Sequence, residues 1–158
     1  MPVTLNGIEY SDDLTTVLQA DKDITYAAIL SGVTTINKEA FYRCEQLTSV
    51  SLPDSLQCVG ELAFSFCSNL TSVVIPNAVQ TIADGAFAHC AKLEKVILSE
   101  GIATIGENAF YKCRRLSPTT IPTNVKKIGS QAFYGVKVLY YSGPKCGTTW
   151  GAGILGYI

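Results

Sequence analysis

The sequence is poor in the residues and segments that several classes of protein need. Histidine and tryptophan occur once each, and charged residues make up 16% of the 158 positions. No segment approaches the ~18 apolar residues of a membrane span. The N-terminus also lacks a basic stretch followed by an apolar run, which is the pattern of a signal peptide. The sequence therefore predicts a soluble chain and leaves its compartment open.

The same scarcity argues against a metal centre, nucleic-acid binding and catalysis. The six cysteines include no Cys-x-x-Cys pair, and His89 is the one histidine, so a zinc site has little support. Neither half of the chain is basic enough to indicate nucleic-acid binding. No set of acid, base, nucleophile or metal ligands converges in the pattern. We therefore expect a chain that is not an enzyme and has no cofactor and no metal.

What the sequence does contain is a period of 23 residues, which continues without insertion or deletion. Each unit has the pattern Ile-x-x-x-Ala-Phe-x-x-Cys-x-x-Leu, followed by a short strand pattern. A unit of this length cannot bury its own apolar face, so the period predicts stacked coils around one continuous core. The Ala-Phe pairs begin at Ala40, Ala63, Ala86, Ala109 and Ala132; the aliphatic residue before them is Ile36, Val59, Ile82, Ile105 or Ile128; the leucine is Leu47, Leu70, Leu93, Leu116 or Leu139.

Two kinds of segment are predicted within each unit. The spacing of Leu47, Val50 and Leu52 is that of a strand, which Pro53 ends. Residues 36–44 have the spacing of a helical face, which predicts a short helix or 3₁₀ turn on the return side of the coil. The alanine permits close packing of neighbouring backbones, and the phenylalanines should fill the interior as one stacked column.

Both ends of the chain depart from the period. Asn6-Gly7 lies between two alternating apolar and polar runs, which predicts a β-hairpin. At the other end, Trp150 and Ile154 are candidates to cover the last coil. We predict one solenoid domain over residues 1–158, composed of an N-terminal cap and half repeat (1–35), five repeats (36–138), and a last strand with a C-terminal cap (139–158).

The pattern from Ile36 to Pro53, repeated in register across residues 24–142, resembles the BspA-like class of leucine-rich repeats. The resemblance implies a right-handed, gently curved β-solenoid with a parallel strand ladder. It also implies a secreted or surface-attached microbial protein that binds host proteins or other cells, without shared catalytic residues. Departures from the family pattern are Ser99 for the strand-ending proline, Val136 for the cysteine, and Pro118 with Thr119 in the fourth strand. A bulge is expected near Pro118 because proline donates no backbone hydrogen bond.

Four of the six cysteines share one position of the repeat and should form an inward column. Equivalent side chains on stacked coils lie ~4.8 Å apart, whereas a disulfide requires Cβ atoms ~3.8 Å apart with converging directions. We therefore expect reduced, buried thiols that act as small apolar residues. Cys58 and Cys146 lie off the column; either is open to oxidation in a secreted protein, but nothing in the sequence brings them together. The column consists of Cys44, Cys67, Cys90 and Cys113.

Two apparent motifs have simpler explanations. His89 and Cys90 are adjacent in sequence, but Cys90 occupies the inward column and His89 an outward position, so they do not form a base and nucleophile. Gly151, Gly153 and Gly156 have the spacing of a dinucleotide-binding loop. That loop needs a following helix, and the chain offers none.

Alternation along the strands predicts one outward face that is nearly free of charge. Such a face with two aromatic residues suits a protein interface; short solvent-facing residues also suit simple β packing. Its predicted binding residues are Tyr26, Ser49, Ser51, Ser72, Val74, Lys95, Ile97, Thr120 and Tyr141, with Ala28 and Pro118 also turned outward.

Charge is unevenly distributed along the chain. Residues 1–79 carry nine acidic and three basic side chains (net −6), and residues 80–158 carry four acidic and nine basic ones (net +5). This is either a solvated surface or the basis for head-to-tail association or for attraction of an anionic partner.

The leading functional hypothesis is a non-catalytic protein-interaction module that recognises host or partner proteins at the cell surface through the strand face. The alternative is a structural or self-assembling element that acts through its oppositely charged ends. The basic positions that would attract an anionic partner are Lys112, Arg114, Arg115, Lys126 and Lys127.

Overall fold

The structure, a computed structural model, describes residues 1–141, 143 and 149–153. Of the predicted C-terminal cap, Cys146, Ile154 and the side chain of Trp150 lie outside these residues. In the part of the chain that is described, no helix is long and apolar enough to cross a membrane. The strands are β1 (Val3–Leu5), β2 (Ile8–Tyr10), β3 (Thr16–Ala20), β4 (Tyr26–Ala28), β5 (Thr35–Ile36), β6 (Ser49–Ser51), β7 (Cys58–Val59), β8 (Ser72–Val74), β9 (Thr81–Ile82), β10 (Lys95–Ile97), β11 (Thr104–Ile105), β12 (Thr119–Ile121), β13 (Lys127–Ile128), β14 (Leu139–Tyr141) and β15 (Thr149–Trp150).

The chain is a β-solenoid of about five turns. Each coil contributes strands to two different sides. One side is a nine-stranded sheet with the order β1-β2-β3-β5-β7-β9-β11-β13-β15. The other side is a four-stranded parallel sheet with the order β10-β8-β6-β4, followed by the separate pair β12-β14. The parallel strand ladder that the resemblance implies is confirmed.

The nine-stranded sheet adds a second strand to each coil, where the sequence predicted one. These additional strands are two residues long, as in β5 and β9. Their second residue is the buried Ile or Val that begins the repeat, whereas the first residue is partly or fully exposed. A run of two residues is too short for alternation to be recognised in a sequence.

The centre of the stack is a column of phenylalanine rings, as predicted. Consecutive ring centroids lie 4.8, 5.2, 5.5 and 5.2 Å apart, and the planes of neighbouring rings differ by at most 11°. All five rings are fully buried. Repeat columns of leucine, isoleucine, alanine and cysteine surround them and form one core. The rings belong to Phe41, Phe64, Phe87, Phe110 and Phe133.

The return segments consist of linked turns, so the predicted short helix or 3₁₀ turn is wrong. Glu39 and Arg43 have φ angles of 59° and 56°, in the left-handed region, which a right-handed helix excludes. The Phe41 N–H donates to the Ala63 carbonyl oxygen of the next coil at 2.8 Å, whereas the Tyr42 N–H donates to Glu39 within its own turn at 2.9 Å. Alternate N–H groups therefore bond along the stack, and the helix-like spacing of buried residues arises from turns.

The last unit is shorter in the structure than its sequence spacing predicts. Leu139 follows Leu116 by one period, yet β14 pairs Leu139 with Thr119. In the preceding unit the Leu116 N–H donates to the Cys113 carbonyl oxygen at 3.1 Å and closes a turn before the strand. Val136 replaces the cysteine, and the chain passes directly into β14. Leu139 therefore lies half-buried in the strand instead of in the leucine column.

The N-terminal hairpin is confirmed and covers the first coil. β1 and β2 pair antiparallel around Asn6 and Gly7, whose φ angles of 51° and 77° suit this two-residue turn. β2 pairs antiparallel with β3, and β3 pairs parallel with β5. The hairpin thus covers the edge of β3 with antiparallel strands and leaves the short, exposed strand β1 at the end of the sheet.

In place of the bulge expected near Pro118, the described residues show a break between sheets. In the described part of the chain, β12 is bonded to β14 and β10 to β8, so the second ladder is divided after β10. Pro118 has no N–H to donate to the neighbouring strand, which accounts for the division at this coil. Beside it, the buried Thr119 hydroxyl has no hydrogen-bond partner among the described residues.

Candidate protein-binding surfaces

The predicted strand face comprises outward side chains of β4, β6, β8 and β10, together with Thr120 and Tyr141 of the separate pair β12-β14. Parallel pairing without offset places Tyr26 beside Ser49 and Val74 beside Ile97. Tyr26, Val74 and Ile97 expose 56%, 57% and 45% of their surface. These three large apolar groups on one short sheet give a partner apolar area to cover.

The smaller members of the strand face largely follow the predicted alternation. Ser51, Ser72, Lys95 and Thr120 are exposed, and Ser49 is half-buried. Lys95 is the one charged side chain of the predicted set. A partner that covers this face would contact hydroxyl groups and apolar surface and would desolvate a single charge. The centre of a protein interface is similarly poor in charged residues.

Tyr141 does not belong to the strand face, and its assignment is corrected. β14 pairs Thr120 with Tyr140 and Ile121 with Tyr141. Tyr141 is half-buried against the core, whereas Tyr140 exposes 57% of its surface. The shortened last unit shifts the strand along the chain and so exchanges the inward and outward positions. Tyr140 is therefore the outward aromatic residue of this coil.

A second surface, which the sequence analysis did not identify, is a row of rings along the return segments. The ring centroids of Phe66 and His89 lie 4.2 Å apart with an angle of 6° between planes, and those of Tyr111 and Tyr134 lie 5.0 Å apart. Edge contacts join Tyr42 to Phe66 at 5.9 Å and His89 to Tyr111 at 5.3 Å. We call these five residues the aromatic row.

Two cationic side chains lie against rings of the aromatic row. The Arg43 guanidinium lies 4.6 Å from the Phe66 centroid, and the Lys112 ammonium lies 5.2 Å from that of Tyr111.

One signal in the sequence could have revealed the row. Tyr42, Tyr111 and Tyr134 are separated by whole multiples of the 23-residue period.

The cysteine column faces the interior, away from the aromatic row. The thiols of Cys67, Cys90 and Cys113 donate to the carbonyl oxygens of Phe41, Phe64 and Phe87 at 3.2, 3.2 and 3.0 Å. Burial raises the pKa of the Cys90 thiol well above its ordinary value. The chain therefore holds Cys90 as a protonated thiol inside the core while His89 stacks on Phe66 at the surface. Among the described residues, no group of three or more His, Cys, Asp or Glu could hold a metal ion.

A sequence model of the BspA type leucine-rich repeat region matches residues 17–140 in six copies. The chain belongs to the BspA-type leucine-rich repeat family. The resemblance inferred from the 23-residue units is thereby confirmed. No curated protein matches the chain.

Solved structures of leucine-rich repeat proteins share the fold of this BspA-type chain. TpLRR of T. pallidum has a TM-score of 0.75 at 22% identity, over 93% of this chain and 83% of that one. A leucine-rich cell surface protein of Faecalibacterium prausnitzii has 0.54 at 22%, over 90% and 55%. A leucine-rich repeat protein of Bacteroides capillosus has 0.54 at 27%, over 90% and 99%. The chain thus spans about half the length of the Faecalibacterium protein.

Within this BspA-type stack, the pKa of His89 is lowered from its ordinary value. Burial of the ring is the main cause, and the nearby positive charges of Lys112 and Arg43 add to it. The fold therefore favours the neutral imidazole. The unfolded chain binds a proton near pH 6.5, while the folded chain resists it until lower pH. The stabilisation that the neutral His89 ring provides is therefore fully present above about pH 6.5. It is lost as the pH falls toward the lowered pKa of His89 in the folded chain.

We predict that His89→Phe reduces the loss of stability between pH 7 and pH 5. The phenyl ring keeps the stack on Phe66 but binds no proton, and the chain has one histidine, so no other imidazole contributes. Urea unfolding of both proteins at a series of pH values measures the effect. A variant whose stability falls as steeply as that of the original chain would contradict the assignment.

Proposed function

We propose that this BspA-type chain is a non-catalytic protein-interaction module that binds a partner protein at the cell surface through the strand face. The observation that carries the proposal is the exposure of Tyr26, Val74 and Ile97 on a sheet with one charged side chain. Burying these groups against a partner removes apolar surface from water with little charge desolvation. The partner that we propose is a host or extracellular-matrix protein, because the module would recognise other cells.

The repeat family and the related solved structures support this role at a coarser level. The family is one of leucine-rich repeats, and the Faecalibacterium relative is named a cell surface protein. Repeat solenoids present extended surfaces suited to protein binding. The core thiols are buried and hydrogen-bonded, so the nucleophilic side chains of the column serve packing. These features support a binding role that involves no chemical step.

We predict that Val74→Asp and Ile97→Asp each weaken partner binding at least tenfold and leave the fold intact. Both side chains are exposed, so the change in folding free energy should stay within ~1 kcal/mol. In the complex, however, the new carboxylate would be buried against apolar surface, which costs several kcal/mol without a partner charge. Surface plasmon resonance against purified extracellular-matrix proteins measures binding, and thermal unfolding measures the fold.

The matched control is Thr81→Asp, which adds the same charge on an exposed position of the nine-stranded sheet. This variant should bind like the original chain. Equal weakening by all three variants would indicate general charge repulsion, and unfolding of Val74→Asp would show that the strand face is core. Sedimentation at low and high salt accompanies the binding measurement, because a salt-sensitive polymer would favour the alternative of assembly through charged ends.

A further inference from the structure

A groove of about 530 Å³ lies beside the aromatic row. Aromatic rings and acidic residues from three successive coils line it. The small buried residues Ser65 and Ala88 lie at its base. The rings are those of Tyr42, Phe66, His89 and Tyr111, and the carboxylates are those of Glu61, Asp84 and Glu107.

The groove exists because two central units lack side chains that other units carry. The repeat position that holds tyrosine in Tyr42 and Tyr111 holds Ser65 and Ala88 between them. A second repeat position also has a smaller side chain in this unit, because Gly85 occurs where the other units have larger residues. A Cβ added to Gly85 would lie 2.5 Å from Leu62 Cδ2. The residues at the equivalent position are Glu39, Leu62, Asn108 and Gln131.

The carboxylates of the groove are incompletely neutralised. Glu61 pairs with Lys38 at 3.2 Å. Asp84 accepts the backbone N–H of Glu107 at 2.8 Å, and among the described residues neither Asp84 nor Glu107 has a cation within ion-pair distance. Asp84 and Glu107 therefore keep acceptors for a cationic group, while the cations of Arg43 and Lys112 lie against the Phe66 and Tyr111 rings.

The rings that line the groove favour an aliphatic chain over a sugar ring. A sugar would need the free face of an aromatic ring, but Phe66 lies between the Arg43 guanidinium at 4.6 Å and the His89 ring at 4.2 Å. Tyr111 contacts His89 and stacks on Tyr134. The rings therefore offer mainly their edges to the groove. The methylene stem of a long basic side chain packs against such apolar edges while its charged end reaches a carboxylate.

We propose that the groove binds an arginine or lysine side chain from a basic segment of a partner polypeptide. The stem lies along Phe66 and Ala88, and the cation donates to the carboxylates of Asp84 and Glu107. This site shares no residue with the strand face, so it does not depend on the function proposed above.

The test uses a fluorescently labelled Gly-Ser peptide that carries several arginines, with fluorescence polarisation as the measurement. We expect the double variant Asp84→Asn/Glu107→Gln to weaken binding about tenfold or more, because it removes the charge from both acceptors and keeps their shape. Ala88→Tyr should weaken binding comparably, since it fills the groove with a ring that the neighbouring unit already carries at Tyr111. The same peptide with citrulline at each arginine position should bind poorly to the original chain.

The matched control is Asp23→Asn/Asp54→Asn, which removes two exposed charges outside the groove and should change affinity less than about twofold. Equal loss in this control, or equal binding of the citrulline peptide, would overturn the proposal. A dimer of the original chain that Ala88→Tyr dissociates would identify a second copy as the occupant instead. If Ala88→Tyr does not fold, the double variant decides.

Discussion

Phe87→Ala should lower the free energy of unfolding by about 3–5 kcal/mol, the range for large-to-small changes in a packed core. The Phe87 ring is fully buried between Phe64 at 5.2 Å and Phe110 at 5.5 Å. Its removal leaves a cavity between two parallel rings that the backbone ladders hold apart. Because the coils above and below are bonded to each other, the stack cannot collapse to fill the space. Urea unfolding followed by circular dichroism measures the loss.

The matched control is Phe133→Ala, made in the last unit of the stack. Phe133 has one ring neighbour among the described residues, Phe110 at 5.2 Å. A terminal coil can also separate from the stack without unfolding the remainder, as in other repeat proteins. We therefore expect a smaller loss of global stability than for Phe87→Ala. Equal losses would contradict a continuous column in which position along the stack determines the cost.

The features that the sequence predicted are those that every coil repeats. The phenylalanine and cysteine columns follow directly from an uninterrupted period, because stacked coils place identical positions on one another. The N-terminal hairpin followed from Asn6-Gly7 between two alternating runs, a local signal with a defined turn geometry. In both cases one pattern specifies the structure without knowledge of distant contacts.

The features that were missed depend on backbone conformation or on differences between units. Left-handed φ angles at Glu39 and Arg43 are not apparent from side chains that seldom adopt them, so linked turns were predicted as a helix. The last unit lacks the turn that precedes the strand in the unit before it. This missing turn shifts the register of β14, so that Tyr141 faces inward. The groove arises where Ser65 and Ala88 interrupt a column of tyrosines, and a search for regularity passes over such interruptions.

The column cysteines should resist alkylation in the native protein, at least about a hundredfold relative to Cys58, because a buried, protonated thiol reacts only when the fold opens. Cys58 is exposed, whereas all four column thiols are fully buried. Burial is the main cause that raises the pKa of Cys44 and Cys67, which further reduces the reactive thiolate. Iodoacetamide labelling followed by peptide mass spectrometry reports each cysteine separately. In denaturing urea all of them should react at similar rates, which provides the control.

The raised thiol pKa values also give the alkaline limit of stability. The folded chain keeps the protons of Cys44, Cys67 and Cys90 at pH values where the unfolded chain, with thiol pKa values of about 8.5, releases them. The contribution of these thiols to the free energy of unfolding is therefore fully present below about pH 8.5 and falls as the pH rises above that value. Cys90→Ala removes one such thiol from the centre of the column, so its unfolding free energy should depend less steeply on pH above that value. Rapid labelling of Cys90 in the native chain at neutral pH would contradict both expectations, because it would require the core to admit reagent without unfolding.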